Sequence, residues 1–217
     1  MKKMPLEQLH MKKLAEYGLQ DMPPGCCDCR RYEPGETILR EFEPIPWIGL
    51  VVNGRSKVCR TAANGKTLIL CYYVSGGMIG DIEMMGSQSS ALASMIAISP
   101  FECVTVEYMA CLAELETNTV FLNRLGTSLS GKLVDTHISL VSAALHSCEQ
   151  RLCSYILQAS YRGVFSDVLT DAACSIGMSY RHLFRLLGQL CNDGVLEKRA
   201  NGYRIKNMDL LVQRAEI

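Results

Sequence analysis

The sequence predicts an α+β chain with three parts: an antiparallel β domain, a long central helix and a C-terminal winged helix-turn-helix. Three observations lead to this prediction. Short apolar runs divided by turn signals extend from Tyr32 to about Glu107, leucines recur at helical spacing after Met109, and the C-terminal part contains two short helices around a glycine, followed by a hairpin.

The composition places the chain among soluble proteins. Of 217 residues, 48% are hydrophobic and 20% charged, and the formal net charge is zero. A nucleic-acid partner would therefore have to meet a local basic patch. We see no signal peptide and no apolar run of the roughly 18 residues that a membrane span needs, so we expect a cytoplasmic protein without membrane contact. The 11 cysteines are odd in number and do not suggest a secreted disulfide framework.

Residues 1–25 are expected to form an N-terminal helix and linker. Leu6, Leu9, Leu14 and Leu19 recur among charged residues, and the run MPPG then breaks the helix. His10 has no neighbour at metal-ligand spacing, so we expect it to lie on the surface or on a helix face.

Residues 26–111 are expected to form a small antiparallel sandwich or barrel in which helix is disfavoured. Runs such as IGLVVNGRSKVCR and ECVTVEYM are rich in strand-forming residues. Asn-Gly pairs at 53–54 and 64–65 predict hairpins. Trp47 is expected to pack on this domain.

Residues 112–147 are expected to form a long amphipathic helix with a narrow apolar seam. Leu122, Leu125, Leu129 and Leu133 make one series, and Ile138, Val141 and Leu145 begin a second, offset series, as a change of phase or a short break would produce. Spacing alone fits a helix lying on its own domain as well as a coiled-coil dimer seam.

Residues 148–217 are expected to form a winged helix-turn-helix. Thr170 is a candidate cap for a first short helix that Gly177 ends, and Ser179 can cap a second helix one tight turn later. Leucines form one stripe of that second helix at positions 183, 186, 187 and 190. The run VLEKRANGYRIK then predicts a hairpin, the wing.

The outer face of the second helix carries Arg181 and Arg185. Between Tyr180 and Lys206, six Lys or Arg stand against two Asp or Glu in a chain that is otherwise neutral. A basic helix face beside a basic hairpin suits double-stranded DNA, since arginine can bind guanine and phosphate. The alternative is that both arginines are only a solvated surface.

These motifs, in this order, resemble the CRP/FNR family of bacterial transcription regulators. The resemblance is carried by YEPGETIL, VVNGRSKV, NGKTLILCYYVSGGMIGDIEMM and CEQRLCSYIL, and GMSYRHLFRLLGQLCNDGVLEKRANGYRIKN with MIGDIEMM resembles YeiL-type members. It implies a β-roll of the cyclic-nucleotide-binding type at 26–111, a homodimer held by the helix at 112–147, a palindromic operator and RNA polymerase as a partner.

The resemblance and the basic pattern together predict the DNA-binding residues, namely Ser179, Tyr180, Arg181, His182, Arg185, Arg199 and Arg204. The family often has Arg-Glu after the capping serine, whereas this chain has Tyr180-Arg181. The operator should therefore differ from the common one. We find no nucleophile elbow, phosphate loop or acid–base pair, so we do not expect an enzyme.

Nucleotide-responsive members of this family hold the cyclic phosphate with Gly-Glu and a following Arg-Ser or Arg-Thr. The matching effector-pocket candidates here are Gly80, Asp81, Glu83, Ser89 and Ser90. The stretch MMGSQSSALASMIAIS contains no Lys or Arg, and a phosphodiester needs a positive partner. We therefore expect neither cAMP nor cGMP, but a pocket filled by Leu92 and Met95 or one that takes a less charged ligand.

The run GCCDCRR is the remaining candidate site. Arginines next to Cys26, Cys27 and Cys29 should favour thiolate, the form that binds metal or attacks a disulfide. Three outcomes stay open: an iron–sulfur cluster, a reversible disulfide, and unmetallated thiols. The alternative function is a redox or iron–sulfur sensor that uses its helix-turn-helix for protein contacts.

Overall fold

The computed structural model describes residues 1–23, 25–61, 67–74, 76–86, 90–160 and 162–215, with the backbone alone at 71–74. The chain divides into two compact units. The first comprises Met1–Lys66 and Leu70–Val134, and the second comprises Thr67–Ile69 and Asp135–Ile217. Strands and helices occur in both units, so the predicted α+β class is confirmed.

The first unit is built on two sheets. The five-stranded sheet has the order β1-β2-β9-β4-β7, and the four-stranded sheet has the order β3-β8-β5-β6. Their strands are β1 (Lys2–Met4), β2 (Cys27–Tyr32), β3 (Thr37–Leu39), β4 (Trp47–Asn53), β5 (Ser56–Thr61), β6 (Thr67–Val74), β7 (Met78–Ile79), β8 (Ser94–Ala97) and β9 (Phe101–Glu107).

The Asn53-Gly54 pair does not make the predicted hairpin. It joins β4 of one sheet to β5 of the other, and these strands are not neighbours. Gly54 has φ +97, and a Cβ there would lie 2.3 Å from the carbonyl oxygen of Pro100. Glycine is thus required by a close backbone approach as well as by its conformation. The Asn64-Gly65 pair lies outside the described residues.

Short helices flank these sheets: α1 (Gln8–Glu16), α2 (Asp81–Met85) and α3 (Leu112–Thr117), the last preceded by a 3-10 turn at Met109–Cys111. Two expectations were wrong. Residues 2–4 belong to a strand that pairs with β2 instead of starting the helix. Helix also occurs inside the β domain, where α2 follows Gly80, its N-cap residue in the left-handed conformation.

The core of the first unit has two parts. One joins α1 to the five-stranded sheet and the helix after it, through residues such as Leu14, Ile48, Leu50, Phe121 and Leu125. The other includes Tyr32, Trp47 and Phe101. Trp47 is buried there, as expected, and the Arg30 guanidinium lies 4.7 Å from its ring centroid.

The long helix α4 (Thr119–Leu145) runs without interruption through Gly126 and Gly131. The helix ends at Leu145, and Ser147 caps a new helix, α5 (Cys148–Ala159), through a hydrogen bond from the Gln150 amide. This break lies after Leu145, whereas the offset between Leu133 and Ile138 lies inside α4, so the offset is a change of phase within one helix.

The second unit contains α5, α6 (Leu169–Ile176), α7 (Tyr180–Asn192), α8 (Met208–Ala215) and a three-stranded sheet of order β10-β12-β11. The strands are β10 (Val164–Phe165), β11 (Leu196–Arg199) and β12 (Gly202–Ile205). Buried side chains of all these helices and strands form one core. The predicted Thr170 cap was wrong, because α6 begins two residues earlier than expected, at Leu169, and its N-cap Val168 makes no side-chain cap.

Candidate functional site

The start of α7 is set by two residues of the preceding turn. Gly177 has φ 71 and ends α6, and Ser179 Oγ accepts a hydrogen bond of 3.2 Å from the His182 amide. Both positions act as the sequence predicts, since glycine tolerates positive φ and serine is a favoured N-cap. The two helices are thereby separated by a short turn whose geometry is defined at both ends.

The two faces of α7 differ sharply in burial. The inner face consists of Leu183, Leu186, Leu187 and Leu190, which are all buried in the core of the second unit. Arg181 and Arg185 are exposed on the other side. Arg185 Nη2 donates a 3.0 Å hydrogen bond to His182 Nε2, which orients the guanidinium along the helix.

The outer face also carries an aromatic pair that sequence reasoning did not bring together. The rings of Tyr180 and Phe184 are stacked, with centroids 6.2 Å apart and an interplanar angle of 23°. Lys198 of β11 places its ammonium 5.6 Å from the Phe184 ring centroid. Only Tyr180 was among the predicted DNA-binding residues. The missed signal for Phe184 is its place four residues after Tyr180 and outside the leucine stripe.

Strands β11 and β12 form the predicted antiparallel hairpin, with Arg199 opposite Gly202. Gly202 has φ +130, and a Cβ there would lie 2.2 Å from the Phe165 carbonyl oxygen, so the wing packs directly on β10. Arg199 and Arg204 are exposed. Arg199 Nη2 donates to Glu197 Oε2 at 2.6 Å, which partly neutralises this end of the wing.

The four predicted effector residues that the structure describes, Gly80, Asp81, Glu83 and Ser90, are not brought into one site. Asp81 is 1% exposed, and its carboxylate is paired with the ammonium of Lys132, while Ser128 Oγ donates to it at 2.9 Å. Lys132 Nζ also donates to the Met78 carbonyl at 3.0 Å. Both partners lie on α4, about fifty residues further along the chain, and sequence reasoning missed them. Their spacing of one helical turn was the available signal.

A cleft of about 390 Å³ lies beside α2, and Gly80 and Glu83 are among its lining residues. Most of its lining is apolar, and no Lys or Arg occurs among the described residues that form it. The other lining residues are Pro44, Ile45, Pro46, Trp47, Ile48, Met84, Gly86, Tyr108 and Met109. Glu83 Oε1 accepts from the Leu92 amide at 3.1 Å.

Ser90 forms an isolated bridge with Pro44, and Ser89 lies outside the described residues. Of the four predicted effector residues that the structure describes, Gly80 and Glu83 border the cleft.

The predicted cysteine site is divided by β2. Cys29 is buried, and its sulfur lies 3.4 Å from His10 Nε2. Cys26 and Cys27 instead pack on the core around α1. Within the part of the chain that the structure describes, the group with donor atoms close enough for one metal ion is His10, Cys29 and Glu102, whose ligand atoms lie within 4.8 Å of one another.

The expected thiolate character was wrong for two of these cysteines. Burial raises the pKa of the Cys27 thiol to about 11, and neighbouring Cys26 and Asp28 act in the same direction. Burial also raises the pKa of Cys29 to about 11, assisted by the charge of Glu102 and opposed by Arg31. Both thiols are therefore neutral near pH 7, because burial dominates at each and outweighs Arg31 at Cys29.

His10 lies on a face of α1, one of the two expected placements, but this face is buried, and both its nitrogens are engaged. The Glu7 amide donates to Nδ1 at 2.7 Å, and Nε2 lies 2.6 Å from Glu102 Oε1. Since Nδ1 accepts, Nε2 carries the proton and donates it to the carboxylate. Although burial acts to raise the pKa of Glu102, hydrogen bonds from His10 and Arg31 lower it below its ordinary value.

Histidine, cysteine and glutamate are donors that Zn²⁺ takes, so these three residues can hold a divalent ion. Its binding would displace the proton from Nε2 of His10. The imidazole would then carry its proton on Nδ1, and the hydrogen bond from the Glu7 amide would have to break. Metal binding here would thus be coupled to the first turn of α1.

Comparison with known proteins places this geometry in context. Residues 29–118 match the family model of the cyclic nucleotide-binding domain. The regulatory protein YeiL of Escherichia coli O157:H7 is 30% identical over 172 residues, which cover 79% of this chain and 78% of that protein. No helix among the described residues is long and apolar enough to cross a bilayer.

Solved structures share the fold. The c-di-GMP responsive global regulator CLP of Xanthomonas campestris superposes with a TM-score of 0.76 at 18% identity, covering 84% of this chain and 95% of that chain. A CRP/FNR-family transcriptional regulator of Thermus thermophilus superposes with a TM-score of 0.74 at 16% identity, covering 87% and 98%. With an exposed arginine face on α7, a wing beside it and a YeiL relative over most of its length, the chain belongs to the CRP/FNR family of transcription regulators.

Proposed function

We propose that this chain is a homodimeric transcription regulator that reads a palindromic operator in double-stranded DNA with α7. The observation that carries the proposal is the division of α7 into a buried leucine face and an exposed face with Arg181 and Arg185. A helix held this firmly by its inner face can enter the major groove as a rigid element.

The charges of the second unit support this function. Exposed cations occur on both α7 and the wing, although the whole chain is neutral: Arg181, Arg185, Lys198, Arg199 and Arg204. In this proposal the arginines of α7 bind guanine edges, and the wing cations contact phosphate. No glutamate follows Ser179 at the start of α7, so the family's common cytosine contact is replaced.

Helix α4 supports the homodimer. Leu133, Ile138 and Leu145 are 71%, 59% and 77% exposed in the single chain, and Val134 and Leu140 are also exposed. Several exposed apolar side chains on one long helix are unfavourable in water and favour an apolar partner. We propose a second copy of the chain as that partner, which makes the operator a palindrome.

For the effector we propose a ligand with less charge than a cyclic nucleotide. Asp81 stands at the position of the glutamate that holds the cyclic phosphate in nucleotide-responsive members of the family. Its carboxylate already pairs with Lys132 and accepts a hydrogen bond from Ser128. The cleft beside it has an apolar lining without a cation among its described residues. A cyclic phosphate would therefore lack a counter-charge. Millimolar cAMP should leave the melting temperature unchanged, and a clear upward shift would contradict this part of the proposal.

A metal ion is the second effector class that a described group of residues supports, at His10, Cys29 and Glu102. An iron–sulfur cluster on Cys26, Cys27 and Cys29 stays the sequence-based alternative. Anaerobic purification with zinc, iron and sulfide assays separates these. Iron with sulfide supports the cluster, zinc without sulfide supports the three-residue site, and a metal-free protein that still binds DNA contradicts both.

The DNA-binding proposal is tested by fluorescence anisotropy with genomic promoter fragments. Arg181→Ala and Arg185→Ala should each weaken binding by about 5-fold or more, since a good bidentate contact contributes about 1–3 kcal/mol. Each change should also reduce the slope of log affinity against log salt by about one if the arginine contacts phosphate. The matched control is Arg40→Ala, an exposed arginine of the first unit.

The control variant should bind as the wild type does. If neither α7 variant weakens binding, the face is assigned wrongly. Binding that does not fall with rising salt would instead favour protein contacts through the helix-turn-helix. RNA polymerase is the further partner expected of such a regulator, and a purified transcription assay on a bound promoter tests it.

A further inference from the structure

We propose that Tyr180 and Phe184 form an apolar reading element that recognises the 5-methyl group of thymine in the major groove. This inference rests on the proposed DNA-binding function and adds a base preference to it. It also assigns a role to Phe184, which pattern analysis of the sequence left out.

The rings of Tyr180 and Phe184 are exposed to solvent. Tyr180 is 49% and Phe184 is 47% exposed, although the leucines on the other face of α7 are buried. Both rings lie in the first half of the helix, on the same side as Arg181 and Arg185. Large aromatic side chains half in water, grouped together among cations, are typical of a surface that is covered when a partner binds.

The second argument is preorganisation. The stacked arrangement of the two rings limits the conformations of each, and Lys198 lies against the Phe184 ring from the wing strand β11. Phe184 therefore contacts both the helix and the hairpin of the motif. A ring held in this way loses little conformational entropy when it packs against a ligand.

The third argument is chemical complementarity. Base edges in the major groove present hydrogen-bond donors, acceptors and one apolar group, the thymine C5-methyl. A phenylalanine ring cannot pair with the donors or acceptors, so its favourable contact there is the methyl. The neighbouring arginines are suited to guanine. The helix advances about 1.5 Å per residue and DNA about 3.4 Å per base pair, so we expect thymine about one or two base pairs from the guanine.

The experiment uses the full-length protein and a duplex that it selects from a random pool. Each thymine of the selected half-site is then replaced, one at a time, by deoxyuridine, which lacks only the 5-methyl group. We expect one or two positions at which the affinity of the wild type falls about fourfold, the value of one buried methyl group. At the same positions, Phe184→Ala should bind the thymine and deoxyuridine duplexes equally.

A rescue test separates the methyl from the rest of the base. Cytosine in place of the sensitive thymine should weaken binding, and 5-methylcytosine should restore part of the affinity for the wild type but not for Phe184→Ala. Phe42→Ala is the matched control, because Phe42 is 72% exposed and lies in the first unit. It should keep the wild-type sensitivity to deoxyuridine. Phe184→Leu, with circular dichroism, checks that α7 stays folded and should keep part of that sensitivity.

The outcomes distinguish this inference from the function on which it rests. If the protein selects a duplex but no deoxyuridine substitution weakens binding, the methyl assignment is wrong and DNA binding stands. If sensitivity persists unchanged in Phe184→Ala and in Tyr180→Ala, other residues read the methyl. If no duplex is selected at all, the proposed function fails first, and the exposed rings belong to an interface with another protein.

Discussion

The sequence predicts candidate functional sites at the start of α7 and at the start of α2. The two sites differ in how far along the chain their interacting residues lie from one another. At α7 every determinant is local: a capping serine, a leucine stripe and an arginine face within thirteen helical residues. At α2 the carboxylate of Asp81 meets Lys132 and Ser128, which come from a different helix. Residue spacing along the chain therefore predicts the arrangement at α7 but not the pairing of Asp81 with α4.

The largest expected effect tests the local arrangement. Leu187→Ala should reduce the free energy of unfolding by about 2–5 kcal/mol, because it removes a fully buried side chain and leaves a cavity. Chemical denaturation monitored by circular dichroism measures this loss. Gln189→Ala, an exposed position on the same helix, is the control and should stay within about 0.5 kcal/mol of the wild type. A small loss for Leu187→Ala would mean that α7 does not rest on its leucine face.

The distant arrangement should respond next most strongly. Lys132→Met removes the cationic partner of a buried carboxylate and should lower the free energy of unfolding by about 2 kcal/mol, less than for a fully buried pair because Lys132 is partly exposed. Adding Asp81→Asn should recover much of this loss, since the uncompensated charge disappears. If the double variant is no more stable than Lys132→Met, the pair does not control stability there.

A smaller effect separates the two candidate caps of the helix-turn-helix. Ser179→Ala should cost about 1 kcal/mol of stability, because the His182 amide loses its hydrogen bond to Ser179 Oγ. Thr170→Ala should cost almost nothing, since Thr170 lies inside α6 and does not cap it. Urea denaturation of both variants at one pH measures the difference. Equal losses would contradict the assigned start of α6.

The smallest effect near neutral pH concerns the buried thiols. Burial raises the pKa of Cys29 to about 11 from an ordinary value of 9.0. The folded protein thus holds the thiol proton more tightly than the unfolded chain does. This contribution to stability is fully present below about pH 9 and is lost as the pH rises toward 11. Urea denaturation between pH 8 and 10 should show a falling stability that is less steep in Cys29→Ala; parallel slopes would contradict it.

Local patterns predicted the second unit well. The glycine and serine that bound the turn, the leucine stripe of α7 and the hairpin after it are all confirmed. Each depends on residues close together in sequence, where capping, positive φ and helical spacing act directly. The Thr170 error is of the same local kind and moves a helix end by only a residue or two.

Strand pairing and thiol burial in the first unit were not predictable from local sequence patterns. The Asn53-Gly54 pair has the composition of a hairpin turn, yet β4 pairs with β9 and β7 of its own sheet and not with β5, the next strand in the chain. The arginines beside Cys29 suggested a thiolate, yet burial in the sheet raises its pKa instead. Burial and strand order depend on how separate segments pack, which no local window contains.

The amino-acid order was thus sufficient to predict the α+β class and an arginine-faced helix with its capping serine, because helical periodicity and turn chemistry act within a few neighbouring residues. The family followed from the resemblance of its motifs to those of known regulators. Folding was needed to bring Lys198 to Phe184, Lys132 to Asp81, and His10 to Cys29 and Glu102. Those groupings set the candidate base preference, the charge of the effector region and the only three-donor metal group within the described residues. They arise from packing between distant segments, whose free energy is decided by burial and charge compensation in space.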